Sequence, residues 1–192
     1  MSCGEHGTAL RAVTVMLPTM VDPRDPPDVA GLFDEYGGEL HRYCAKRVGS
    51  AIAEDIVADT FLIAYERRDR LADGPVRAWL YGIATNLLRR HRRTEVRALR
   101  AIARTGQDPH LDDIADRAVA RADASMHNRR LAAALAALPA RQRDVLLLFA
   151  VADLDYDTIA ATLGIPLGSV QSALHRARVK VRLAMQPEGS PR

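Results

Sequence analysis

Residues 155–182 read DYDTIAATLGIPLGSVQSALHRARVKVR, and their punctuation sets the fold. Asp155 is a helix-opening residue, so a short helix is expected over Tyr156–Leu163. Gly164 closes it, because the turn there favours a residue without a Cβ. Pro166 precedes a last helix that runs to about Ala184. Ala160 is small where two helices cross, and Ile159, Leu163, Ile165 and Val170 are placed to fix the crossing angle. On the last helix Val170, Leu174, Ala177 and Val181 recur at steps of four, three and four, which puts them on one face. The opposite stripe carries Gln171, His175, Arg178 and Arg182, flanked by Ser172 and Arg176, with Ser169 near the start. An apolar packing face beside a polar and basic face is the pattern of a helix-turn-helix whose second helix enters the DNA major groove.

Upstream of this stretch, Leu131, Leu135 and Leu138 form a helical stripe that ends at Pro139, and a helix over Ala140–Ala152 follows. Residues 29–93 repeat apolar side chains at three- and four-residue steps: Leu32, Phe33, Tyr36, Leu40, Tyr43 and Val48, then Ile56, Val57, Thr60, Phe61, Ala64 and Tyr65. Gly37-Gly38 weakens the first of these helices. Ala72-Asp-Gly-Pro75 marks a turn, after which Trp79, Leu80, Ile83, Ala84 and Leu87 face inward on a third helix. Trp79 fits the core better than a stacking platform, from its place in that stripe. The expectation is an all-α protein of two small helical domains joined by a flexible linker. The boundaries fall at 1–28 (a leader rich in Pro and Asp at its end), 29–94, 95–125 (the linker), 126–186 and 187–192 (a tail). Some helix near Leu111–Arg121 is compatible with the linker.

Composition supports this reading. Of the 192 residues 48% are hydrophobic but only 5% aromatic, with Ala and Leu prominent, which favours helix over sheet. The net charge of +3 is modest, but its distribution is not. Seven arginines and a single acid, Glu95, lie between Asn86 and Arg104. Arg176, Arg178, Lys180 and Arg182 follow Ala173 with no acid among them, and Asp108, Asp112, Asp113 and Asp116 separate the two basic stretches. The longest apolar runs have eight residues, too short to span a bilayer. Cys3 and Cys44 are too few and too far apart for a disulfide framework, which suits two reduced thiols in the cytoplasm. His41 and Cys44 lie one turn apart, yet a metal site needs more convergent ligands. No phosphate-binding loop, dinucleotide fingerprint or nucleophile elbow is present. No enzyme activity, cofactor or metal is expected.

The helix-turn-helix alone fits several kinds of transcription protein. The N-terminal half narrows the choice. FDEYGGELHRYCAKRVGSAIAEDIVADTFLIAYERRDRL (33–71), followed by PVRAWLYGIATNLLRRHRR (75–93), closely resembles region 2 of the extracytoplasmic-function (ECF) sigma factors of the sigma-70 type. Residues 131–185 resemble their region 4.

That resemblance implies a promoter-recognition subunit that binds core RNA polymerase, directs it to promoter DNA and helps open the duplex. Glu54, Asp55 and Asp59 would dock on the clamp helices of the largest polymerase subunit, and region 4 on the flap of the second-largest. Asp55 and Asp59 share a helix face, one turn apart; helix-dipole compensation is an equal reading of these acids, and the two are compatible. Arg77, Asn86, Arg89, Arg90 and Arg93 would contact the minus-ten element. Asn can read a base edge, whereas arginines mainly hold phosphate. The turn from Asp69 to Arg77 would capture a flipped base. Ser169, Gln171, Ser172, His175, Arg176 and Arg178 would contact the minus-thirty-five element. Family members often carry a basic residue where Gln171, Ala173 and Phe149 stand here, so minus-thirty-five contact is expected to be weaker or altered. The acidic linker would thread toward the active-site and exit channels, or serve as a solvated tether. An anti-sigma factor is a further partner the resemblance implies; a membrane is not. The alternative is a helix-turn-helix regulator that binds DNA without polymerase, and a requirement for core polymerase separates the two.

Overall fold

The structure, a computed structural model, describes residues 28–68, 75–107 and 118–186. The leader up to residue 27, most of the turn from Asp69 to Arg77, the acidic segment 108–117 and the tail from 187 lie outside the described residues. Among the described residues there are eight helices and no strand.

Four helices make the first half. The Asp28 carboxylate accepts from Ala30 N at 3.1 Å and starts α1 (Val29–Val48). The glycine pair does not interrupt α1. Gly37 is buried, and a Cβ there would sit 3.6 Å from the Phe33 ring, so packing offsets its weak helix propensity. Gly49, at φ 90°, turns the chain into α2 (Ser50–Glu66). Next come α3 (Val76–Arg90) and α4 (Arg92–Thr105), joined by a bend at His91 whose N–H donates to the Leu88 carbonyl at 2.9 Å. The expected boundary at residue 94 is therefore not a helix end. No Gly or Pro occurs between His91 and Gly106, and Ala, Leu and Arg are strong helix formers, so the helix persists to Thr105, through about a third of the expected linker. Gly106 ends it in the left-handed conformation, φ 74°.

The second half holds α5 (Ala118–Ala137), α6 (Ala140–Ala150), α7 (Tyr156–Leu163) and α8 (Leu167–Met185). Asp155 Oδ1 accepts from Thr158 N at 2.7 Å, and Gly164 adopts φ 61°, as the punctuation of 155–166 implies. α5 begins eight residues before the expected domain start at 126.

Leu40, Tyr43, Cys44, Ile56, Phe61, Leu80, Tyr81 and Leu88 fill the first core, and Val145, Leu148, Ile159, Val170 and Leu174 the second. Trp79 packs partly buried against the first. The two cores join. α7 lies on α3, where a Cβ on Gly82 would come 3.0 Å from the Thr162 carbonyl oxygen. α4 runs along α5.

Candidate nucleic-acid and polymerase interfaces

Helix α3 turns its apolar side inward, with Leu80, Ala84, Leu87 and Leu88 buried, so Asn86, Arg89 and Arg90 are exposed at its C-terminal end. Arg89 Nη1 donates to Asn86 Oδ1 at 2.8 Å, which holds the amide with its NH2 group still available to an acceptor. Arg93 is exposed too, but beyond the His91 bend, on α4. Arg77 is placed differently. Its guanidinium donates twice to the Glu39 carboxylate, at 3.0 Å each, and once to the Ala152 carbonyl at 2.8 Å. The hydrogen bond to Glu39 raises its pKa, and in this conformation Arg77 ties α1 to the turn after α6.

On α8, Val170, Ala173, Leu174 and Ala177 are buried. The opposite side exposes Gln171, Ser172, His175, Arg176 and Arg178, with Ser169 half-buried at the first turn. The Arg178 guanidinium lies 4.5 Å from the centroid of the Phe149 ring, which also packs on Tyr156 at 5.8 Å. An aromatic face thus holds an arginine of this exposed polar side. Ala173 corrects one expectation. At 1% exposure it points into the core, so this position is not a lost phosphate contact. Gln171 is exposed and Phe149 partly exposed, and the altered-contact expectation rests on them.

On α2, Glu54, Asp55 and Asp59 are all exposed, as are Leu62 and Tyr65. The first turn of α2 contains no acid, so Asp55 and Asp59 lie too far along the helix to compensate its dipole. These acids instead border an apolar strip, a mixed surface suited to a protein partner.

One constellation was not anticipated from the sequence. Arg47, on α1, is 5% exposed. Its Nε donates to Glu95 Oε1 at 2.7 Å, its Nη2 to Asp144 Oδ1 at 2.6 Å and its Nη1 to Tyr43 Oη at 2.7 Å. Arg143 Nη2 reaches the second Glu95 oxygen at 3.1 Å, while its Nη1 donates to the carbonyls of Leu135 and Leu138. Arg89 Nε stands 3.7 Å from Asp144 Oδ2. Burial works against the Arg47 charge, but Tyr43, Glu95 and Asp144 around it hold its pKa above the usual value. Burial raises the pKa of Tyr43 and lifts the Cys44 thiol to about 12, so neither ionises near neutral pH. Two signals for this cluster existed. Arg47 interrupts the apolar stripe Leu40–Tyr43–Cys44–Val48, and Glu95 is the one acid among seven arginines.

His41 Nε2 lies 3.3 Å from Ser50 Oγ, whereas Cys44 is fully buried. Among the described residues no three His, Cys, Asp or Glu side chains converge as metal ligands. Nor is any described helix long and apolar enough to cross a membrane.

Residues 32–98 match the sigma-70 region 2 family, and residues 128–181 match sigma-70 region 4. The chain is 33% identical over 164 residues to the ECF RNA polymerase sigma factor SigL of Mycobacterium tuberculosis, covering 84% of this chain and 90% of the relative. It is 32% identical over 188 residues to the ECF RNA polymerase sigma factor SigE of Mycolicibacterium smegmatis, covering 84% of this chain and 69% of the relative. Among solved structures it resembles CnrH in complex with the cytosolic domain of CnrY (TM-score 0.58, 24% identity, 84% and 89% of the chains). It also resembles the sigma factor RpoE in complex with the anti-sigma factor NepR from Bartonella quintana (TM-score 0.58, 20% identity, 84% and 99%).

Proposed function

Since this chain belongs to the ECF sigma factors, whose members direct RNA polymerase to promoters, we propose how its surfaces divide that work. Two exposed polar and basic helix faces carry the reading: α3 with the start of α4, and α8. They lie on opposite sides of a stretch of chain in the order region 2, then region 4. Asn86 reads a base edge of the minus-ten element, and Arg89, Arg90 and Arg93 hold its phosphates. Gln171, Ser172, His175 and Arg176 read the minus-thirty-five element in the major groove, with Ser169 and Arg178 at the edges. Glu54, Asp55 and Asp59 meet basic residues of the polymerase clamp helices. Arg77 reaches DNA only after letting go of Glu39 and Ala152.

The described arrangement is a closed one. Helix α7 packs against both α3 and α8, and packed helices lie about 8–10 Å apart, so the two reading helices are within roughly 20 Å of each other. The two promoter elements are about 25 base pairs apart, or ~85 Å of duplex at about 3.4 Å per base pair. Engaging both at once requires the halves to separate, with polymerase holding them apart. An anti-sigma factor would act by keeping them together. The protein works beside polymerase in the cytoplasm and contributes binding energy rather than catalysis.

Run-off transcription with purified core polymerase on pooled genomic promoter fragments tests this reading. Discrete starts that need both components are expected. Initiation failing while the protein alone shifts DNA would replace it with the polymerase-independent regulator.

A further inference from the structure

Helix α4 carries more positive charge than minus-ten contact uses. Arg93, Arg97, Arg100 and Arg104 recur at steps of four, three and four, so they share one face, and all four are exposed. The acid of the helix, Glu95, is on the other side, 3% exposed. The outer face is therefore purely cationic. It borders a shallow groove lined by Arg92, Arg93, Val96, Arg97 and Arg100.

We propose that this face of α4 is a second, sequence-independent DNA-binding surface. It lies along the phosphate backbone of duplex next to the minus-ten element, on the side toward minus-thirty-five. This rests on the sigma-factor reading. Three observations support it. First, the stripe continues the α3 reading face across a single bend at His91 and leads toward the half that reads minus-thirty-five. Second, Arg93 to Arg104 spans 11 residues, or ~16 Å at about 1.5 Å per residue. That is the length of roughly five base pairs, about half a turn of duplex, so the stripe can reach several phosphates along it. Third, the rotation of α4 is fixed from within. The bond from Arg47 to Glu95, 2.7 Å, joins α1 to α4 inside the first half. In the described arrangement this turns the arginines outward.

Holoenzyme assembled from core polymerase and the full chain tests the proposal. Its affinity for a labelled promoter duplex is measured across a KCl series for the parent, for R97Q/R100Q/R104Q and for R97K/R100K/R104K. The glutamine variant is expected to lower the magnitude of the slope of log K against log salt by up to about 2.7, at about 0.9 per lost phosphate contact. Its binding to core alone should be unchanged, and the lysine variant should keep the parental slope. On a duplex truncated at the upstream edge of the minus-ten element, parent and glutamine variant should converge. An unchanged slope on the full duplex overturns the proposal. So does a difference that persists on the truncated duplex, or a loss of core binding, which would make the stripe a polymerase contact. Failure of the parental holoenzyme to bind promoter selectively would overturn the sigma-factor reading itself, and this proposal with it.

Discussion

Replacing Arg47 with methionine removes the cation at the centre of the junction while keeping an unbranched apolar side chain in its place. Arg47 and Arg143 are balanced by Glu95 and Asp144, and all four are at most 5% exposed. Arg47→Met changes this neutral set to a net charge of one negative. It leaves Asp144 with only the half-exposed Arg89 at 3.7 Å, and Glu95 with only Arg143 at 3.1 Å. Breaking a buried pair by removing one partner costs about 3–5 kcal/mol, because the surviving charge stays desolvated. A typical domain is stable by only about 5–15 kcal/mol, so much of the margin goes. For a chain of this size the melting point should fall by roughly 6–20 °C. Urea denaturation followed by circular dichroism measures the loss. Asp144→Asn in the same chain restores neutrality, since Arg143 and Glu95 then balance. The double variant should therefore be more stable than the sum of the single effects, with a coupling of about 0.5–3 kcal/mol. A loss under about 1 kcal/mol for Arg47→Met, together with strict additivity, would refute the idea that these charges act as one buried unit.

Burial of Cys44 sets an alkaline limit. Its folded pKa, about 12, is raised above the ordinary thiol value of about 8.5, so between these the unfolded chain has released a proton that the folded one retains. Stability should fall by about 1.4 kcal/mol per pH unit across that window, with Tyr43 and Tyr81 adding in the same direction at its upper end. Urea midpoints at pH 8, 9.5 and 10.5 check the slope, and a thiol reagent should label Cys44 only after unfolding. Gly106→Ala places a Cβ 2.8 Å from the Ser125 carbonyl oxygen at φ 74°, whereas Gly164→Ala meets open space at φ 61°. The second should cost about 1–2 kcal/mol, the left-handed penalty alone, and the first clearly more, by the same denaturation assay. Asn86→Ala should relax discrimination at one minus-ten base by about 1–3 kcal/mol, while Arg90→Ala should weaken all promoters alike. Run-off yields across single-base promoter variants distinguish the two.

Local physics made much of this molecule legible in advance. Asp155, Gly164 and Pro166 act on their nearest neighbours, and the steps of four and three fix which side of α8 faces out, so the helix-turn-helix and its exposed Gln171, His175 and Arg178 followed from spacing alone. The acids of α2 were equally readable as an exposed face. Two helix extents were not. The expected linker started at residue 95, whereas α4 runs to Thr105 and buries a glutamate rather than a leucine stripe against its neighbours. The depth of Ala173, by contrast, was legible, since it lies three residues after Val170 and four before Ala177 on the inward face. The least legible feature was the partnership of Arg47 with Glu95 and Asp144, 48 and 97 residues away. A charge in an apolar stripe signals only that some partner must exist, since an unpaired buried ion is too costly to keep. Which acid supplies it is decided when the helices pack, because pairing depends on distance in space and the sequence records only distance along the chain.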